Sequence, residues 1–451
     1  MSTRDLFNGI AVLIDDEYGD ENAAISAIAK QISEAGGHVI GFTSLPEAQQ
    51  IANLRGASFF VVDWNLDSKP IVADDGSLEA IHIPAGVREA SAEKSRKFLK
   101  DLRDSRFAPV FIFTNEPVDT VIESLGQDAG LYVKDQPTHI FVKAKDEVLD
   151  QGVFAVLTEW VEKTPSALAL KRWEQEYESA KNALFTEFHS KSIYWPAVLW
   201  QTFKEDGVPP SPELGRLISR NLLSRMTPFG MDMEVFMPAV EESRAKDPEA
   251  YRDMLCKVLE GERFVANAGL HKDSVSPGDI FKFKGSYWVN IRPDCDCVPR
   301  PGSLDPELYL LEGGKVSDGK LLSALDIDYG LVRERDNECV VFQMTNGISV
   351  SFKLNELTQK KWSDVKDKRI GRLIPPFSTR LQQRYAAYLQ RPGLPKIPKA
   401  AMPLEAVAKA AAVVLAEAQA ATVPATVTAD ALTQVDSAAL QTAAIPPPEV
   451  Q

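Results

Sequence analysis

Four short stretches carry groups that could act together on a phosphoryl group. Ile14 is followed by Asp15-Asp16-Glu17, Val62 by Asp63, and Phe113 by Thr114, while Lys143 follows Phe141-Val142. Carboxylates with room for several waters suit Mg2+, a hard cation that prefers oxygen ligands. Crowded carboxylates repel one another, and a cation relieves that repulsion. One carboxylate at the centre can then act as nucleophile, bridged by the cation to an incoming phosphoryl group. A hydroxyl and an ammonium on neighbouring strands can hold the remaining phosphoryl oxygens. A single acidic residue after a strand is more often a solvated loop entry. The ordered set, each member behind an apolar run, points to chemistry.

These groups converge only if the strands before them are parallel neighbours. Residues 1–163 alternate strand and helix signals: strands at Ile10–Ile14, His38–Phe42, Phe59–Val62, Pro109–Phe113 and His139–Val142, with helices at about 21–35, 46–55, 92–104 and 146–162. Such alternation predicts an α/β fold, a doubly wound parallel sheet with both faces covered, whose ligands sit at the carboxyl ends of the strands. Residues 164–260 read as helical, with Trp173, Tyr177, Phe185, Phe188, Trp195, Trp200 and Phe203 as bulky anchors. Core packing is the expected use of these side chains, and a dimer seam the alternative. From 261 to 391 the pattern turns to period two, a β-rich domain with hairpins at Lys284-Gly285-Ser286 and Asn346-Gly347, closed by a basic helix at 378–390. Residues 392–451 read as a Pro-containing linker and an Ala/Pro-rich tail, expected to be disordered apart from one weak helix.

Composition narrows the function classes. A net charge of −14 over 451 residues disfavours a generic nucleic-acid binder,. Arg369, Arg372, Arg380, Arg384 and Arg391 form one local basic cluster, expected to be a solvated face or to pair with acids. Four cysteines make no disulfide framework and point to a reducing compartment, the cytoplasm,. The N-terminus lacks a signal-peptide layout. Leu404–Val423 is too charged and too rich in alanine for a membrane span. Cys295-Asp296-Cys297 lacks the paired motif of a zinc site and shows no base for a catalytic thiol, so a structural or partner-binding use is expected.

The motifs Ile14-Asp15-Asp16-Glu17, Val61-Val62-Asp63, Phe113-Thr114-Asn115-Glu116 and Phe141-Val142-Lys143 resemble those of bacterial two-component receiver domains over residues 8–163. The resemblance implies a flavodoxin-like receiver in which Asp63 is the phosphoacceptor. Asp15, Asp16, Asp63 and the Asn65 carbonyl would hold Mg2+, with Thr114 the switch hydroxyl and Lys143 the phosphate-contacting lysine. Lys134 is the alternative, closer in spacing to the minimal pattern; Lys143 is preferred because a good final helix follows it. The chain departs from the pattern in about twenty extra residues between Asp63 and Thr114, placed in a loop at 67–88. Ile140 also stands where the aromatic switch, three residues before the lysine, is expected, so the switch is either absent or displaced to Phe141.

The whole chain looks like an atypical "response receiver" branch, on Gly278-Asp279-Ile280-Phe281, the segment Trp288–Asp296, and Arg369–Pro376. It resembles the effector-less receiver of defensive, anti-phage two-component systems. The implied partners are a sensor histidine kinase and a competing receiver fused to an effector; no membrane is expected, and the overall charge disfavours nucleic acid. The expected role is a phosphorelay receiver, not an enzyme, with protein contact or phosphate buffering as output. The alternatives are a receiver that controls an unrecognised enzymatic or nucleic-acid-binding activity in the β-rich domain, and a pseudo-receiver scaffold that never takes phosphate.

Overall fold

Period-two burial on both faces of a parallel sheet organises the first third of the chain. In a computed structural model, residues 3–403 are described except 55, 67–84, 106–107, 129, 134–137, 229, 301, 303, 327, 394, 396 and 402. The first elements are α1 (Thr3–Leu6), β1 (Ile10–Ile14), α2 (Ala24–Glu34), β2 (His38–Phe42), α3 (Ala48–Asn53) and β3 (Ala57–Val62). They are followed by α4 (Ala85–Ser105), β4 (Val110–Thr114), α5 (Val118–Gly126), β5 (Ile140–Ala144), α6 (Lys145–Gln151) and α7 (Val153–Val161). The strands are parallel in the order β2-β1-β3-β4-β5.

Alternate residues of each central strand enter opposite layers. Leu13, Val61, Phe111 and Phe113 pack with Ile28 of α2 and Val156 and Trp160 of α7. Val12, Phe60, Val62 and Ile112 pack with Leu99 of α4 and Val121 of α5. β3 and β4 are buried along their whole length, as a sheet covered on both faces requires.

Three boundaries differ from the expectation. The helix after the long loop starts at Ala85, so residues 85–88 belong to it rather than to the loop, while 67–84 lie outside the described residues. The predicted final helix is two, α6 and α7, parted at Gly152 with φ +86°; α6 starts on Lys145 and carries Asp146 and Glu147 in its first turn, where acids favour the helix N-terminus. The short helix α5 was not anticipated.

The helical region comprises α8 (Pro165–Lys191), α9 (Trp195–Glu205), α10 (Pro210–Arg225), α11 (Met237–Lys246) and α12 (Pro248–Arg263). Proline in the first turn of each suits its fixed φ and missing N–H,. The start of α8 belongs to the sheet layer: Ala167 enters the core with Trp160, Lys171 Nζ donates to Ser58 Oγ at 3.3 Å, and Gln175 Nε2 donates to the Asp5 carbonyl at 2.6 Å. Beyond that, the expected core packing holds only in part: Ala180 and Leu184 of α8 are buried, and Tyr177, Phe188, Trp195 and Phe203 are half-buried. α9, α10, α11 and α12 have no buried residue, and Trp173, Phe185 and Trp200 are 42%, 43% and 44% exposed.

The remaining elements are β6 (Phe264–Ala266), β7 (Asp279–Phe283), β8 (Ser286–Asn290), α13 (Asp294–Cys297), β9 (Glu307–Lys315), α14 (Asp318–Ala324), β10 (Leu325–Asp326) and β11 (Leu331–Val332). After them come β12 (Glu338–Thr345), β13 (Ile348–Lys361), α15 (Trp362–Val365), β14 (Arg369–Leu373) and α16 (Phe377–Gln390). Seven strands form an antiparallel sheet, β12-β13-β9-β8-β7-β14-β6. Both predicted hairpins form, with positive φ at Lys284, Gly285, Asn346 and Gly347, the backbone of a two-residue primed turn. The chain divides into Met1–Tyr388 and Leu389–Gln451; the described part of the second unit holds the end of α16 and a turn at Lys399–Ala401. No helix among the described residues is long and apolar enough to cross a membrane.

Candidate functional site

The carboxyl ends of β1 and β3 are adjacent, and the residues just past them carry the acids. The Asp63 N–H donates to the Ile14 carbonyl at 2.8 Å, and the Asp15 N–H to the Phe42 carbonyl at 2.9 Å. This continuation of the ladder carries both carboxylates over the sheet edge in fixed positions. Asp15, Asp16 and Asp63 are buried, each with a carboxylate oxygen within 4.8 Å of the others. No other group of three or more acidic, His or Cys ligands is close enough to hold a metal among the described residues.

The ammonium in this cluster comes from Lys145. Its Nζ lies 2.8 Å from Asp15 Oδ2 and 2.9 Å from Asp63 Oδ2, and the side chain is buried. The expectation that Lys143 takes this role is corrected. Lys143 is still inside β5, where alternation sends its side chain to the same face as Phe141; there it pairs with Glu159 of α7 at 2.9 Å and Glu147 of α6 at 3.3 Å. Lys145 is the first residue past the strand and turns over its end. Lys134, the other candidate, lies outside the described residues. Val142, three residues before Lys145, is buried and has no ring.

Thr114 ends β4, next to β3 in the sheet, and is fully buried; its Oγ1 accepts from the Glu116 N–H at 3.0 Å. Asn65 lies in the loop after Asp63, with its N–H 3.4 Å from Asp63 Oδ1 and its Nδ2 3.4 Å from Glu116 Oε1. The loop after β1 is turned back by the Glu17 N–H donating to Asp15 Oδ1 at 3.0 Å. A cleft of about 290 Å3 opens beside these loops, lined by Trp64, Asn65, Glu116 and residues of α4 and α5.

Electrostatically the cluster is short of positive charge. Three carboxylates face one ammonium, a formal excess of two negative charges. Burial pushes the Asp63 carboxyl up to about 6, against the opposing pull of Lys145. Burial and then the neighbouring Asp15 raise Asp16. Burial pulls Lys145 down, but Asp63 and Asp15 outweigh it, so the ammonium is held above its ordinary value. Asp16 Oδ1 is buried and has no hydrogen-bond partner, a costly state for a carboxylate oxygen. Oxygen donors, two uncompensated charges and an orphaned acceptor fit a hard divalent cation held by Asp15, Asp16 and Asp63.

The other candidates fall away on geometry. Arg369 and Arg372 close on the buried Asp279, at 3.7 and 2.6 Å, and Arg380 and Arg384 on Glu334, at 2.6 and 3.5 Å. Cys297 is buried under an Asn290 Nδ2 contact at 3.3 Å, and burial pushes its thiol up to about 11, the reverse of a reactive thiolate. Compared with protein-family models and with curated proteins, the chain matches none.

Proposed function

We propose that this chain is a phosphoacceptor signalling protein in which Asp63 takes a phosphoryl group from a phosphohistidine on a partner kinase. One observation carries the reading: Lys145 bridges Asp15 and Asp63 at the edge of a parallel sheet, while Asp16 offers a buried oxygen with no protein partner. A bound Mg2+ would supply charge neutralisation at the transferring phosphoryl oxygens. In the transfer, the nitrogen–phosphorus bond of the donor breaks as a bond from an Asp63 carboxylate oxygen to phosphorus forms, and the imidazole leaves. Lys145, already on Asp63, is placed to follow negative charge from carboxylate to phosphoryl group. Thr114, at the end of the neighbouring strand β4, is the hydroxyl we assign to one of the new oxygens.

The output we favour is a protein contact or competition for phosphate. Its place beside a histidine kinase in a defensive system rests on the resemblance of the motifs. The deciding experiment is phosphotransfer to Asp63→Asn. The amide keeps the shape but is neither nucleophile nor good Mg2+ ligand, so acid-labile phosphate should disappear while the circular dichroism spectrum is kept. Undiminished phosphate on the variant overturns the assignment. Beryllofluoride binding to the wild-type protein separates this reading from a scaffold that never takes phosphate.

A further inference from the structure

We infer that the β12 edge of the seven-stranded sheet is held shut against strand addition by a guard of four side chains, Glu334, Arg380, Arg384 and Arg263. The sheet runs β12-β13-β9-β8-β7-β14-β6, so β12 and β6 are its edges. An edge strand turns the N–H and C=O of every second residue outward, a template for any further strand. β6 is blunted by its length of three residues. β12 has eight, and Cys339–Met344 within it carries no charge, proline or glycine, a composition that pairs readily with another chain. Left bare, this edge would be a site of association.

Its outward groups are occupied instead. The Leu354 N–H of β13 donates to the Asn337 carbonyl at 2.8 Å, which fixes the alternation: Cys339 and Val341 face β13, and Glu338, Val340 and Phe342 face out,. The Glu338 carbonyl accepts from Arg384 Nη2 at 3.1 Å and the Val340 carbonyl from Arg380 Nη1 at 3.2 Å. The Phe342 carbonyl accepts from Arg263 Nη1, and the Val340 N–H donates to Glu334 Oε1. These are the contacts a neighbouring strand would make, supplied here by α16, the last residue of α12 and one carboxylate. Glu334 fastens the set. Its Oε2 lies 2.6 Å from Arg380 Nη2 and 3.5 Å from Arg384 Nε, and its side chain is 6% exposed. One carboxylate thus fills an edge N–H and aligns two arginines on edge carbonyls, through charge-assisted contacts. Water would satisfy the same carbonyls; what the guanidinium groups add is occupancy. Past Phe342 the ladder breaks as well: Gln343 has φ +46°, and the register shifts between Val341 and Thr345, a bulge of the kind that ends edge pairing. α16, α12 and the bulge converge on the longer of the two edges.

Glu334→Ala in the full chain tests this, with sedimentation velocity and hydrogen–deuterium exchange of the segment 338–345 followed from about 1 to 100 µM, a range that brackets ordinary association. At the low end the Val340 amide has lost its acceptor, and exchange in that segment should rise about tenfold or more over wild type, the worth of a hydrogen bond to a charged group. With the edge bare, the strand available in the pure protein is the same edge of another molecule, and two such edges pair about a two-fold axis. The variant should therefore gain mass with concentration relative to wild type, and protection of 338–345 should return as it does. A folded variant that sediments as wild type throughout the range overturns the proposal. So does one that associates while 338–345 stays unprotected, because the contact then lies elsewhere. Where Glu334→Ala loses its circular dichroism signal, Glu334→Gln, which keeps the shape but gives up the charge that holds both arginines, is read by the same two outcomes.

Discussion

At the scale of single residues, the acidic cluster is legible because its members stand one or two positions past apolar strands, where period-two burial ends. The lysine is not legible in the same way. Lys143 and Lys145 are two positions apart, and only the exact end of β5 decides which of them turns over the sheet edge. The clue lay in Glu147, four residues beyond Lys143, and in Glu159, which together satisfy Lys143 on the α7 face. Lys145→Met should therefore lower phosphate acceptance about 10–100-fold, the worth of a hydrogen bond to a charged group, while Lys143→Met stays within about twofold of wild type. Quantitative phosphotransfer on the two variants checks this, and the reverse order would return the role to Lys143. Asp63 adds a pH signature in the metal-free protein. Its folded value of about 6 lies above the ordinary 3.8, so the folded state holds the proton more tightly. The resulting stability is present below pH 4 and lost as pH rises through 6, a swing of about 3 kcal/mol. The amide introduced by Asp63→Asn cannot titrate. Urea melts at pH 4 and 7 should thus show Asp63→Asn gaining on wild type by that order, with Mg2+ reducing the gain; a difference flat with pH would mean that Asp63 is not held protonated by burial.

At the scale of elements, five strands and two hairpins follow from local pattern, since alternating burial and Asn-Gly or Lys-Gly turns are local facts. The helical region does not, because the sequence states only that Trp200 and Tyr194 are large and apolar, and burial depends on what stands opposite. Aromatic count alone favours a core, and in α9 and α10 only part of one forms. The loop bearing Asp15 and Asp16 raises a related issue of fit. Tyr18 lies across Gly41 of β2, and a Cβ at Gly41 would meet the tyrosine ring at 1.9–2.3 Å. Glycine there lets the ring lie flat and anchors the turn, in which the Tyr18 N–H bonds the Asp15 carbonyl at 3.0 Å. Gly41→Ala should cost about 1–3 kcal/mol of stability, as overpacking does, and weaken Mg2+ binding by displacing the loop. Adding Tyr18→Ala should recover part of the lost stability, because the two changes share one contact. Thermal melts and a Mg2+ titration of the three variants decide; additive losses would show that the ring and the glycine are independent.

At the scale of the whole molecule, Arg369 and Arg372 pair with Asp279, Arg380 and Arg384 pair with Glu334, and the chain as a whole is strongly acidic. The site also lacks a ring at the position three before the lysine, whether that is counted from Lys143, giving Ile140, or from Lys145, giving Val142. Phosphorylation adds about two negative charges at the sheet edge, but no aromatic side chain at that position can swing in to report them. We therefore favour a modest shift in populations and an effect exerted chiefly by taking phosphate from the kinase. Removing the C-terminal domains tests how self-sufficient that role is, and the cut must respect α8. Ending at 163 strips Ala167, Lys171 and Gln175 from the sheet layer, whereas ending at Lys191 keeps them. The longer fragment should accept phosphate about as well as the full chain, and the shorter should be less stable by about 2–4 kcal/mol for the lost packing and hydrogen bonds. In cells, overproducing the full chain should suppress phosphorylation of any competing receiver served by the same kinase. Asp63→Asn should abolish that suppression, because a chain that binds the kinase but takes no phosphate drains nothing. Suppression that survives in the variant would instead mean sequestration of the kinase through a protein surface, and phosphate buffering would have to be abandoned.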